Sequence, residues 1–241
     1  MAKKSSIRPL LFAVGTLLIV IAVLVGIDYA VRARAVAQIE KVVAAQLNAD
    51  DVTAEIHAFP VITQMLSDHA HHISLQASQA TLGSGDDVLR IRAIDVDMKD
   101  VRHWVNHRDQ MTAGQIQMTG LVPWDEFASQ MGEGMTIAYE APDKMVMESP
   151  INLGTTTAQM RVVTSMRVGD DGALYLDHPQ VSVEGLSFIQ DLVDMFAQQL
   201  ENRPLAPAID GYRYDDIQIT AEGVKLTMSG NDVEVAHLNQ K

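Results

Sequence analysis

The chain has eight histidines and no cysteine, so any metal or proton chemistry must be built on imidazole and carboxylate rather than thiolate. His69, His71 and His72 fall within four residues beside Asp68, and His103 and His107 stand four apart. The second spacing puts two rings on one face if the segment is helical, as in many zinc sites. In a strand, His69 and His71 would share one side and His72 would take the other. A polar loop running into the wet positions of a strand fits the same residues, given the flanking Ser67, Asp68 and Ser74. A metalloenzyme built on His69, His71, His103 and His107 is therefore one reading, and a solvated histidine-rich surface is the other.

Nucleophile motifs are missing. The sequence contains no G-x-S-x-G, no S-x-x-K and no H-E-x-x-H, nor any glycine pattern that cradles phosphate. Paired acids occur at Asp86-Asp87, Asp95 with Asp97, Asp170-Asp171 and Asp215-Asp216, each at a turn or on the wet face of a strand. General acid catalysis needs a carboxyl in apolar surroundings, and the pattern singles none out. The chain is read as non-enzymatic, with no cofactor and no metal site, and the histidine metalloenzyme stands as the competing reading.

Charge narrows the partners. Over 241 residues, 18 Lys plus Arg face 31 Asp plus Glu, a net charge of −13, which excludes a nucleic-acid binder because phosphate neutralisation needs concentrated Lys and Arg. Lys3, Lys4 and Arg8 precede any acid, leaving 15 basic against 31 acidic residues after position 27, a net charge of −16. Between head and body, residues 10–27 form an uncharged run of 18, opening at Leu10 and closing at Ile27. At about 1.5 Å per residue a helix of this length crosses the hydrocarbon core of a bilayer. The basic head holds the amino end in the cytoplasm and sends the acidic body across. The run exceeds the about 7–15 apolar residues of a cleaved signal, and the only small-x-small triplet nearby is Ala33-Arg34-Ala35, so an uncleaved anchor is the reading. The expected division is a cytoplasmic tail at 1–9, a transmembrane signal anchor at 10–27, a helical stalk or docking helix at 28–48 and an extracytoplasmic domain at 49–241.

Val36, Ile39, Val43 and Leu47 continue the helical period up to Asn48. Beyond it the period becomes 2, the mark of strands with one buried face. Val52, Ala54, Ile56 and Ala58 make one row, Ile73, Leu75 and Ala77 a second, and Met160, Val162, Thr164, Met166 and Val168 a third. Between Leu89 and Met98 the apolar phase slips from odd to even positions, which predicts a bulge. Reversals are expected at Gly83-Ser84-Gly85-Asp86, at Gly169 to Gly172 and at Glu222-Gly223. Helices are expected over 123–131, opening on Pro123, and over 187–200, where Ser187 and Gln190 form a capping box. Phe188 and Met195 widen the stripe of the second, predicting burial over much of its circumference. The prolines of 201–210 predict an extended connection. The fold class is α+β: a transmembrane helix, then one domain with a curved antiparallel sheet wrapped around a long helix.

Twelve of 13 methionines lie after the apolar run. Met160, Met166 and Met228 take the inward phase of strands, where flexible thioethers suit either an adaptable acyl lining or ordinary core filling. The segment Ala58-Phe59-Pro60-Val61-Ile62-Thr63-Gln64-Met65-Leu66, followed by a polar loop and a strand, resembles the hallmark of the actinobacterial LmeA-like phospholipid-binding family. That hallmark reads G-F-P-F-L-T-Q, of which Phe59, Pro60, Thr63 and Gln64 are kept while Ala58 and Val61 depart. Residues 101–130, 171–186 and 217–235 resemble later segments of the family in order, the last with Ser229-Gly230-Asn231-Asp232.

The resemblance implies a cell-envelope lipid binder with a fold similar to the tubular (TULIP, BPI-like) superfamily, in which a curved sheet around a long helix leaves an apolar groove. Phospholipid or another acyl lipid and the membrane are the implied partners, with an envelope protein partner unidentified, for envelope lipid transport or glycolipid maintenance. Candidate lining residues are Phe59, Pro60, Ile62, Leu66, Met160, Met166, Leu192, Phe196 and Met228, with a headgroup contact from Arg90, Arg92 or Arg161 unassigned. The Phe59-Pro60 step is a rigid apolar corner for a groove mouth, a membrane contact or a turn in the core. The departure at Val61 would alter a groove mouth. The alternative class is a structural or interaction module with a solid core and an acidic surface.

Overall fold

The computed structural model describes residues 8–84, 87–131, 134–152, 157–184, 190–208 and 211–235, while the side chains of residues 8–21, 46–47, 82–84, 87–88, 108, 130–131, 152, 190–194 and 196 lie outside that description. Helix α1 runs without interruption over Arg8–Leu47 and stops where Asn48 turns left-handed at φ 43°, a conformation that a short polar side chain tolerates at a helix end. Its second half is docked on the body: Ala35, Val36 and Ile39 pack against the first core cluster. Polar contacts fasten the same stretch, with Glu40 accepting the Ala54 N–H at 3.0 Å and Arg32 donating to Glu55 at 3.3 Å. Among the described residues no helix is long and apolar enough to cross a membrane.

The body holds two antiparallel sheets. The first has six strands in the order β1-β2-β3-β4-β11-β10: β1 Thr53–His57, β2 His69–Ser84, β3 Asp87–Arg102, β4 Thr112–Pro123, β10 Tyr212–Ile219 and β11 Gly223–Glu234. The second has five in chain order, β5 Thr136–Glu140, β6 Lys144–Asn152, β7 Thr157–Val168, β8 Leu174–Val183 and β9 Pro204–Ala206. Three helices complete it, α2 at Val61–Leu66, α3 at Trp124–Met131 and α4 at Gln190–Asn202. The expectation of one curved sheet around one long helix is thus corrected in part. Strand periodicity reports which face is buried but says nothing about which strands pair, and here they divide into two layers.

Local expectations fare better. The phase slip between Leu89 and Met98 is a break in the β3–β4 register between Arg92 and Asp95, with Ala93 at φ 49°. The β7–β8 and β10–β11 hairpins turn where the glycine signals lie, and Ser84 pairs with Asp87 in the β2–β3 hairpin, whose Gly85 and Asp86 lie outside the described residues. Gly172 takes φ 74° in the β7–β8 turn, and at Gly223 a Cβ would come within 2.1 Å of the Val122 carbonyl oxygen as β11 meets β4. Helix α3 begins directly after Pro123, and residues 204–206 of the proline-rich connection form β9 against β8.

Two cores result. The first, under α1 and α2, gathers Ile56, Val61, Ile73, Met98, Val101 and Trp104 on one face of the six-stranded sheet. The second joins the sheets: Ile137, Met145, Met147, Val162, Met166 and Leu176 of the five-stranded sheet meet Val224, with Ile217, Ile219 and Leu226, of the other. Helix α4 rests on β8 through its carboxyl half, where Leu200 joins the second core. Met195 is 61% exposed and so does not widen a buried stripe, while the side chains of residues 190–194 and 196 lie outside the described residues. Its expected cap Ser187 and the neighbouring Phe188 lie outside the described residues.

Candidate functional site

The retained motif builds the corner between β1 and α2. Ala58 turns left-handed at φ 71°, the Phe59–Pro60 peptide is cis, and Pro60 stands extended as the N-cap of α2. Thr63 donates its hydroxyl to the Pro60 carbonyl at 2.8 Å. Gln64, buried at 4% exposure, donates to the carbonyls of His57 and Ala58 at 3.3 Å each and accepts the His71 N–H at 3.0 Å. A single amide thereby ties the end of β1 to the start of β2, which satisfies backbone groups that the tight corner would otherwise leave bare.

What the corner presents is apolar and uncovered. Phe59 is 64% exposed and Leu66 82%, with Pro60 exposed and Ile62 half-buried between them. Phe59 is therefore not a core corner. Val61 is fully buried in the first core, so the departure from an aromatic there bears on packing and not on a groove mouth. Asp28 of α1, itself 3% exposed, reaches across and accepts the Ile62 N–H at 2.9 Å. That contact supplies from another helix the acceptor that the side chain of Pro60 lacks.

The other candidate lining residues do not join this corner. Met166 is buried and Met160 half-buried in the second core, where Met135, Met145 and Met147 also lie, and Met228 packs on the first core. The side chains of Leu192 and Phe196 lie outside the described residues. Arg90 is paired with Glu126 at 3.0 Å and Arg161 with Glu148 and Glu140 at 2.6 and 3.2 Å, so both guanidiniums already hold carboxylates. One described cleft is lined by Ala93, Leu121, Thr220, Glu222 and Lys225, and a second by Asp68, His69, Arg102, His103 and His107; neither includes Phe59.

The histidines sort as strand alternation requires. His72 stacks on His57 with ring centres 4.0 Å apart and bonds to Asp97. His69 and His71 meet edge to face at 5.2 Å in a separate group with Asp100. His103 and His107 lie on a turn after β3 rather than on a helix, so their spacing carries no helical meaning. Their rings are nonetheless brought to 5.9 Å, and each Nδ1 faces Asp68 Oδ2, at 3.7 and 3.8 Å. Sequence spacing missed Asp68 as their partner because the contact crosses from the end of α2 to the loop after β3. Desolvation raises the Asp68 carboxyl, but the N–H groups of Val105 and Asn106 and the two nearby histidines outweigh it and hold it below the usual carboxylate range.

Comparison with known proteins places this geometry. No curated protein and no solved structure matches the chain. A family model described as LmeA-like phospholipid-binding matches residues 28–235. The match opens at Asp28, takes in the Phe59–Gln64 corner and both sheets, and closes after β11. The chain belongs to the LmeA-like phospholipid-binding family.

Proposed function

We propose that the protein is a membrane-anchored lipid binder of the cell envelope, holding phospholipid or a related acyl lipid for transport or glycolipid maintenance at the bilayer that the apolar run of residues 10–27 would cross. The observation that carries this reading is the bond from the Ile62 N–H to Asp28, the residue that follows the apolar run. It fixes α2, and with it Phe59 and Leu66, to the level at which α1 would leave the membrane. On α1 itself Val23, Leu24, Val25 and Ile27 are 46–58% exposed, an apolar surface that the protein does not cover and that lipid would. Lys3, Lys4 and Arg8 keep the amino end cytoplasmic, so the body works on the outer side.

Electrostatics does not supply the attraction, since a body of net charge −16 repels anionic headgroups. Apolar burial does, at about 1.5–3 kcal/mol for a fully buried Phe or Leu side chain. The methionine-rich layer between the sheets supports the reading, because thioethers can repack around a disordered acyl chain. Phospholipid identified by mass spectrometry on detergent-exchanged full-length protein is the test, together with uptake of a labelled phospholipid by Phe59→Ser/Leu66→Ser. The reading expects retained lipid in the parent and at least tenfold slower uptake in the double variant. Absence of both retained lipid and uptake in the parent overturns it. Charged residues in both described clefts favour a second reading, an interaction module with a solid core and acidic surface that recruits a basic partner. The same lipid-free outcome would support that alternative.

A further inference from the structure

We propose that Asp68, His103 and His107 form a binding site for one divalent transition-metal ion, with zinc the best fit. The three offer ligand atoms within 4.8 Å of one another. Two imidazole nitrogens and one carboxylate oxygen are the donor set of zinc, nickel and copper sites, whereas calcium and magnesium demand oxygen.

Asp68 is arranged as a fixed ligand. Its Oδ1 accepts the backbone N–H groups of Val105 at 2.8 Å and Asn106 at 3.3 Å, which leaves Oδ2 to face both rings. The same bonds hold the loop that carries His103 and His107, so one carboxylate both orders the loop and points into it. The separations are informative. At 3.7 and 3.8 Å the Nδ1 to Oδ2 distances are too long for hydrogen bonds. Tetrahedral zinc with bonds of about 2.0–2.1 Å holds its ligand atoms about 3.3 Å apart, so each imidazole has to approach the Asp68 carboxylate by only about 0.5 Å. The parts that must move are free to do so: the rings are 48% and 63% exposed while Asp68 is 17% exposed. They line a cleft of about 490 Å³ that leaves the fourth position to water.

Isothermal titration of zinc into chelator-stripped, tag-free, full-length protein in detergent tests this. One zinc per chain is expected, weakened at least tenfold in each of His103→Ala and His107→Ala and unchanged in His178→Ala, which belongs to a separate acid–histidine group with Asp177 and Glu201. Cobalt substitution should give the visible bands of a tetrahedral nitrogen–oxygen site in the parent and lose them in both loop variants. Should the parent bind no zinc, or should His103→Ala and His107→Ala bind it as the parent does, the proposal is overturned. Both substitutions fall on exposed loop positions, and an unchanged melting temperature shows that each variant remains folded.

Discussion

Replacing Asp28 with alanine removes the carboxylate that accepts the Ile62 N–H in the first turn of α2. The carboxylate is 3% exposed, and its Oδ1 lies 2.9 Å from the Ile62 nitrogen. Helix α2 has six residues and no side-chain cap of its own, so it cannot make up the loss internally. Leaving the Ile62 N–H buried without its acceptor costs about 1–3 kcal/mol. At about 1.4 kcal/mol per factor of ten, local opening of α2 should rise about 5- to 150-fold. Hydrogen exchange followed by mass spectrometry on the full chain in detergent micelles reads this on peptides spanning residues 57–71. Peptides from β6 and β7, in the other sheet, should exchange within twofold of the parent. Asp28→Asn keeps an oxygen at the same place and should show a smaller change. Unaltered exchange across α2 in Asp28→Ala would refute the claim that this bond fastens the corner. A uniform acceleration through both sheets would refute it too, by making Asp28 a residue of the global core.

Three further outcomes follow from packing and charge. Met145 is fully buried where the sheets meet, so Met145→Ala should cost about 2–5 kcal/mol in urea unfolding, while Met145→Leu should cost less than about 1.5. Gly223→Ala drives a methyl into the Val122 carbonyl at 2.1 Å and should lower stability by about 3 kcal/mol, with slowed recovery after dilution from denaturant. Asp68 is held below the usual carboxylate range, so its contribution to stability is whole above the unfolded-state value, near pH 4, and is lost as pH falls through the lower folded-state value. Asp68→Asn should therefore flatten the acid limb of the stability profile below about pH 4 and leave its slope at neutral pH as it was.

Much of the local structure was legible because it is governed by neighbours in sequence. The helical period through Val36 and Ile39, the slip between Leu89 and Met98, and the glycine turns are statements about adjacent residues, and each has its counterpart in α1, β3 and the hairpins. Strand β6 was not legible: Met145, Val146 and Met147 are all buried in succession, so the strand shows no alternation. The division into two sheets was hidden for a related reason, since pairing of β4 with β11 joins residues about 100 positions apart. At the site, the Phe59-Pro60 and Thr63-Gln64 pairs pointed to a defined corner, but which apolar residues face outward depends on α1. Val61 is turned inward by the first core, and Leu66, one turn on, is left uncovered. Asp68 could not be matched to His103 and His107 from spacing alone, because β2 and β3 must pair before the two loops meet.

The register in which Pro123 at the end of β4 stands directly opposite Gly223 at the start of β11 dictates an order of assembly. The entire five-stranded sheet is spliced between two strands that are neighbours in the other. Its own strands lie side by side in chain order, so each pairs with the strand made just before it, β9 doing so once α4 has followed β8. Strand β4 has no such option and must wait, one edge open, until about 100 more residues have left the ribosome. At about 5–20 residues per second that interval is about 5–20 s, during which an exposed strand edge is a template for association with other chains. The last strand thus decides whether the nascent molecule is sealed or sticky, and a chain cut short just before it would carry a finished second sheet on an unfinished first.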